Sequence, residues 1–358
     1  MPARAADEKR DTAMGQIPAE LPRRQGSDPA RTARTTRGAD RAPTGRHFAA
    51  LDLGTNNCRL LIARPHGEGF AVVDAFSRIV RLGEGLAGSG RLSDAAIERT
   101  IAALRVCADK LKRRNVALAR SVATEACRRA ANGEAFIQRA YEETGIHLDI
   151  ISAEEEARLA VLGCHALLEP GDGPAIVFDI GGGSTELVLI DTRGPVPTVR
   201  DWHSAPWGVV SLTESAGGGD GPDERAAAYA RMRALVAESF APFAARLPAP
   251  GAHPRLLGTS GTVTTLASVH LKLQRYDRGQ VDGLIAPAAA MRRISQDLAG
   301  MSLAERAQLP CIGRERADLV VAGCAILEGI LDLWPAERLG IADRGIREGI
   351  LRRLMEVR

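Results

Sequence analysis

Lysine is nearly absent from this sequence: Lys9, Lys110, Lys112 and Lys272 are the only lysines among 47 Lys and Arg residues. None of them follows a glycine, so the Gly-Lys-Ser/Thr loop that cradles nucleotide phosphates is excluded. Long apolar runs are missing too. The best stretch, 319–334, is interrupted by Glu328 and Asp332 and falls short of the ~18 apolar residues of a membrane span. The six cysteines (58, 107, 127, 164, 311 and 324) form no Cys-x-x-Cys pair, and no His-Glu-x-x-His occurs. Zinc patterns and a disulfide framework are thereby disfavoured, and reduced thiols in a cytoplasmic protein are expected. A net charge of +3 over 358 residues leaves no electrostatic footprint for nucleic acid. Gly181-Gly182-Gly183 does not fit Gly-x-Gly-x-x-Gly and opens onto a strand pattern, which argues against a dinucleotide fold. Gly258-Thr259-Ser260-Gly261 carries Thr262 where a serine-hydrolase elbow requires glycine.

One short device is present twice. Residues 50–62 read ALDLGTNNCRLLI and residues 177–189 read VFDIGGGSTELVL, so that Asp52 aligns with Asp179, Gly54 with Gly181 and Leu60 with Leu187. Each copy is an apolar strand ending in Asp-x-Gly, then small or hydroxyl residues, then a second apolar strand, which is a β-hairpin pattern. Glycine permits close backbone approach and positive φ, so successive N–H groups can converge on an anion. Two such turns facing one another form a clamp for a phosphate chain, with an aspartate beside each for a metal ion.

Residues 1–46 are rich in Arg, Pro, Thr, Ala and Gly and are expected to form a disordered tail. From His47 onward, strands alternate with helices in two similar halves, 47–165 and 166–358, with the C-terminal helix able to pack back on the first. The pattern predicts a two-domain α/β protein with a cleft between the halves. A helix is expected over 93–114 with Ser93 as its cap, others over 153–168, 223–246 and 313–334, and a strand over 255–258.

After the exclusions, what remains is phosphate held by glycine turns, carboxylates and a hard cation. Glu186 lies between the second turn and an apolar strand, where a carboxylate is either a solvated hairpin residue or faces a polar cleft. Glu156 opens a helix behind Ser152, and the Ser152/Glu155 capping-box pattern explains acidic residues there without any chemistry. Glu125 follows a strand, and Arg128 beside it is either a phosphate ligand or a solvated helix residue.

Asp52-Leu-Gly-Thr-Asn-Asn-Cys-Arg, Ala123-Thr-Glu-Ala-Cys-Arg, Glu155-Glu156-Ala-Arg-Leu, Asp179-Ile-Gly-Gly-Gly-Ser-Thr-Glu-Leu and Gly258-Thr-Ser-Gly-Thr resemble, in order, the motifs of the Ppx/GppA phosphatases. Arg316-Ala-Asp318 and Arg347-Glu-Gly-Ile also resemble family signatures, and the likeness covers about 47–356. The resemblance implies a duplicated actin-like (acetate kinase/sugar kinase type) fold. It also implies release of the terminal phosphate of inorganic polyphosphate or the 5′-γ-phosphate of pppGpp. By the same resemblance Glu156 is the base that activates water, and Glu186 the second essential carboxylate. Mg²⁺ is expected on Asp179 and Glu186. Phosphate contacts are expected from Gly54, Thr55, Asn56, Asn57, Arg59 and Arg128, from Gly181, Gly182, Gly183, Ser184 and Thr185, and from Gly258, Thr259, Ser260, Gly261 and Thr262.

The sequence departs from the family pattern at Asn57, where a small hydroxyl is usual, and at Gln280-Val-Asp282-Gly, where many relatives carry Val-His-Gly. It contains no His-Asp pair and resembles the short, two-domain members, among which homodimers are common. Two other readings stand beside hydrolysis. An ATP-dependent kinase or ATPase is disfavoured by Glu-Glu-Ala-Arg-Leu, and a non-catalytic sensor by the presence of both Glu156 and Glu186.

Overall fold

The computed structural model describes residues 45–356 apart from 172–173, 194–196, 250 and 252. Residues 1–44 of the expected tail lie outside the described residues. The strands are β1 (His47–Leu53), β2 (Asn57–His66), β3 (Gly69–Ile79), β4 (Val116–Ala123), β5 (Leu148–Ile150), β6 (Pro174–Ile180), β7 (Thr185–Asp191), β8 (Thr198–Ala205), β9 (Arg255–Thr259), β10 (Ile285–Pro287) and β11 (Arg338–Ala342). They form two mixed sheets, ordered β3-β2-β1-β4-β5 and β10-β11-β9-β6-β7-β8. Without the short edge strand β10, the second order is β8-β7-β6-β9-β11, the same arrangement as the first. Each sheet pairs an antiparallel three-strand meander with two parallel strands reached through helices.

The apolar residues dictate this layering. Central strands β1 and β6 are buried along nearly their whole length and β7 along all of it, as expected where helices cover both faces of a sheet. Leu51, Leu60, Ile101, Leu104 and Phe136 fill the core of the first half. Phe178, Leu187, Phe243, Leu266 and Trp334 fill that of the second. Ser93 caps helix Asp94–Arg113 by accepting from Ala96 N–H.

Helices Ala153–Cys164 and Ile346–Glu356 each leave the last parallel strand of their own half and pack against each other between the halves. Ile346, Ile350 and Leu351 join Phe48, Leu61 and Val122 of the first sheet in one cluster, so the last helix returns to the first half. The two helices cross closely because glycines face backbone. A Cβ on Gly163 would fall 2.0 Å from Gly345 O, and one on Gly349 would fall 2.1 Å from Leu159 O.

The structure corrects several boundaries. Helix Ala153–Cys164 ends earlier than expected and continues as a short 3₁₀ turn over His165–Leu167. The helix expected over 313–334 begins only at Val320, and residues before it run through turns. Strands β10 and β11 and helix Val209–Ala216 were not expected.

Candidate active site

The two hairpins present their turns to each other. Leu53 pairs with Cys58 and Ile180 with Thr185, leaving four-residue loops closed by Gly54 N–H to Asn57 O and Gly181 N–H to Ser184 O, both 2.9 Å. None of Gly54, Gly181, Gly182 or Gly183 adopts positive φ, contrary to the expectation for these turns. In the second turn, crowding dictates the glycines. A Cβ on Gly182 would meet Thr55 Cβ at 2.9 Å and Asn56 N at 3.0 Å, and one on Gly183 would meet Thr55 Oγ1 at 2.7 Å and Glu125 Cγ at 2.9 Å.

Parallel strands β4 and β9 end beside these turns, each delivering a helix. After β4 come Thr124 and helix Glu125–Arg129; after β9 come Ser260 and helix Gly261–His270. Ser260 Oγ accepts from Thr262 and Val263 N–H, and the helix start brings partial positive charge to the crevice outside the strand ends. The resulting cleft, of about 130 Å³, is roughly ten times the space one water requires.

Four carboxylates stand around it, Glu156 and Glu186 buried and Asp52 and Asp179 half-buried. Asp52 and Asp179 take equivalent places on β1 and β6, Glu156 stands on helix Ala153–Cys164, and Glu186 lies on β7 directly opposite Asp179. Glu186 is 1% exposed and accepts from Ser184 Oγ at 2.7 Å and Ser204 Oγ at 2.9 Å, so it is not a solvated hairpin residue. Glu156 is 7% exposed, which sets it apart from an ordinary acidic first-turn residue. The cap itself is half of the expected box: Ser152 Oγ accepts from Glu155 N–H, while the Glu155 carboxylate turns to Arg120.

Burial raises the proton affinity of all four groups. Asp179 reaches about 8, through burial and then the nearby Glu186, with Arg59 opposing. Glu186 reaches about 7 through burial, against the hydrogen bonds from Ser184 and Ser204. Glu156 is pushed well above the usual carboxylate range by burial and by Glu186, with Arg128 opposing. Asp52 is raised by burial and drawn down by Arg59.

Arg128 is neither solvated nor free. Its guanidinium donates to Glu125 Oε2 at 2.6 and 3.1 Å, to Ile151 O at 2.7 Å and to Glu156 Oε2 at 3.3 Å. Gly54, Thr55, Asn56, Asn57, Arg59, Glu125, Glu156, Asp179, Gly181, Gly182, Gly183, Ser184, Ser260, Gly261 and Thr262 all line the cleft. Arg128, Thr185, Glu186, Gly258 and Thr259 stand behind this lining. Thr185 Oγ1 donates to Trp207 O, Thr259 Oγ1 to Arg344 O, and Gly258 packs under Phe178 and Val263. Asp282 also lies off the cleft, accepting from Asp343 N–H and Arg344 Nε. Asp52 lines it too, and Thr124, Ile180, Thr265, Arg316, Leu319, Val320, Val209 and Ile346 complete the wall without having been singled out as binding or catalytic residues. Arg316-Ala-Asp318 carried a sequence signal; the apolar members carried none.

With this geometry in view, the comparisons with known proteins are decisive. The model of the Ppx/GppA phosphatase family matches residues 61–357. The chain belongs to the Ppx/GppA phosphatase family. It is 33% identical over 316 residues to Exopolyphosphatase 2 of Mycobacterium tuberculosis, covering 84% of this chain and 96% of that protein. It is 31% identical to the guanosine-5′-triphosphate,3′-diphosphate pyrophosphatase of Aeromonas salmonicida, covering 85% of this chain and 58% of that longer protein. The crystal structure of the Aquifex aeolicus Ppx/GppA family member superimposes with a TM-score of 0.71 at 29% identity, over 87% of this chain and 99% of that one. The chain is accordingly a hydrolase acting on phosphoanhydrides.

The donor set of this Ppx/GppA cleft suits a hard cation, because its buried groups are carboxylate oxygens in mutual repulsion. Among the described residues no three such side chains form a finished metal site. Mg²⁺ usually takes one or two carboxylates and completes its shell with substrate phosphates and water, which the facing pair Asp179 and Glu186 fits.

Proposed function

We propose that this protein hydrolyses the terminal phosphoanhydride of inorganic polyphosphate, of pppGpp, or of both, with Glu156 as general base. The observation that carries the reading is the cluster of carboxylates, their proton affinity raised by burial, beneath two facing glycine turns. Backbone N–H groups and hydroxyls of Thr55, Ser184, Ser260 and Thr262 hold the terminal phosphates, and Arg59 balances their charge. Asp179 and Glu186 would hold Mg²⁺, which would supply neutralisation of the phosphate oxygens when bound. Glu156 orients a water and takes its proton. The water oxygen bonds to the terminal phosphorus as the bridging P–O bond breaks in line; orthophosphate carries the water oxygen, and the shortened chain leaves with the bridging oxygen. Burial strengthens Glu156 as a base, while Arg128 counters that burial by favouring the ionised form.

Glu125 is the second reading for the base, favoured by its place in the cleft wall against Gly183. Its carboxylate, however, already accepts the shortest contact from Arg128. The test is phosphate release in Mg²⁺ from polyphosphate and pppGpp in parallel, by wild type, Glu156→Gln and Glu125→Gln. Loss of about 10²–10⁴ in kcat in Glu156→Gln, with a smaller loss in Glu125→Gln, is the expected result. The reverse order would assign the base to Glu125. Binding of either compound without release of phosphate from either would replace the hydrolase by a sensor.

A further inference from the structure

The segment after β3 ties the first turn to the far wall of the cleft. Val80 and Arg81 N–H both donate to Asn56 O, at 2.9 and 3.0 Å, and Gly83 N–H donates to Thr55 O at 2.9 Å. Arg81 has φ 47, a left-handed conformation that a residue with a side chain keeps only where its surroundings hold it. From there its guanidinium crosses to the second half. Nη1 donates to Asp318 Oδ2 at 2.9 Å, and Nη2 to Asp318 Oδ1 at 3.4 Å and Glu315 O at 3.3 Å. Asp318 follows Arg316, which lines the cleft, and Ala317 O between them accepts from the buried Arg306 Nε at 2.9 Å. Alongside, Gly85 N–H donates to Glu214 Oε1 at 2.8 Å. Among the described residues, the hydrogen bonds joining residues 47–164 directly to residues 174–345 are confined to this rim, away from the crossing helices.

We propose that Arg81 is a positioning residue: paired with Asp318, it holds the Arg316 segment against the first turn and keeps the cleft shut around a bound phosphate chain. The proposal rests on the hydrolase reading of the cleft. Arg81 touches no reacting atom, so breaking the pair weakens retention of the phosphate chain and leaves the carboxylate cluster in place. Both side chains are 34% exposed, so the pair is open to screening by salt.

The experiment compares wild type, Arg81→Gln, Asp318→Asn and the exchange Arg81→Asp/Asp318→Arg. It reads kcat and KM for polyphosphate and for pppGpp, and the small-angle scattering radius of gyration of each ligand-free protein. The expected result is a KM raised roughly two- to fivefold in each single variant with kcat nearly unchanged, a larger radius of gyration, and partial recovery of both in the exchange. KM and radius equal to wild type in both single variants would overturn the proposal, as would a fall in kcat at constant KM. Circular dichroism identifies a variant that fails to fold, and the near-isosteric Asp318→Asn then decides. If wild type releases no phosphate, the hydrolase reading falls, and the scattering comparison still accepts or rejects the clasp.

Discussion

Gly182→Ala tests whether the cleft works only when its two turns touch. A Cβ at this position would stand 2.9 Å from Thr55 Cβ and 3.2 Å from Asn56 Cβ. Non-bonded carbons settle at about 3.5–4.0 Å, so the turns must separate by roughly 0.5–1 Å. Inside a core, such overpacking costs about 1–3 kcal/mol. Here the crowded atoms belong to different halves, and the cleft relieves the contact by opening. The stability cost is therefore small and the functional cost large. A displacement of about 1 Å at a reacting centre costs on the order of 10²-fold in rate, equivalent to about 2.7 kcal/mol of transition-state stabilisation. The assay pairs kcat/KM for phosphate release with thermal melting. We expect about 10²-fold lower kcat/KM and a Tm lowered by less than about 4 °C. Activity within about twofold of wild type would refute the reasoning, since the turns would then tolerate separation. A much larger fall in Tm would refute it differently, by making the crowding part of the folded core.

Gly349→Ala makes the contrasting case. Its Cβ would meet Leu159 O at 2.1 Å and Leu159 C at 2.9 Å within a packed helix crossing, so a loss of about 2–3 kcal/mol is expected in urea unfolding. A neutral result would mean that the crossing yields easily. Asp179→Asn addresses the buried charge. With its folded pKa raised to about 8 from 3.8, Asp179 favours folding fully at low pH, and that contribution is lost as pH rises through about 8. In chelator, Asp179→Asn should therefore melt increasingly above wild type between pH 5 and pH 9, the difference growing by roughly 1.4 kcal/mol per unit of pKa shift at most. A constant difference across that range would remove the buried-charge argument.

The duplicated device made the frame legible, because Asp-x-Gly between apolar strands fixes a hairpin and its repetition fixes two halves. Hydroxyl and glycine positions in the turns were legible for the same reason. Strands β10 and β11 were not, since three residues including Pro287 and five including Gly340 give periodicity too little length to register. The helix expected over 313–334 shows a different limit. Arg314, Glu315 and Arg316 read as an ordinary helical turn, yet the chain leaves helical geometry there, with Arg316 in the cleft wall and Asp318 on Arg81. Local propensity favoured helix, and tertiary demands of the cleft overrode it. Glu186 could be singled out as a carboxylate entering an apolar strand, but not its burial behind Ser184 and Ser204, because Ser204 approaches through strand pairing 18 residues away.

The two copies are alike in backbone and opposite in charge. At the same register position, Asp52 faces Arg59 across β1 and β2, whereas Asp179 faces Glu186 across β6 and β7. An acid opposite a base is a stabilising cross-strand pair, while an acid opposite an acid in a buried sheet is destabilising unless protonated or neutralised. A frame selected for stability alone would keep the first arrangement in both copies. The second leaves a deficit of positive charge beside the glycine turn, which raises the pair's proton affinity and which a hard cation carried in with phosphate would satisfy on binding. On the proposed reading, the first hairpin would be the pole that meets phosphate charge through Arg59, and the second the pole that meets the cation. Glu186→Arg would make the halves electrostatically equivalent, and such a protein should release no phosphate and bind polyphosphate equally well with and without Mg²⁺.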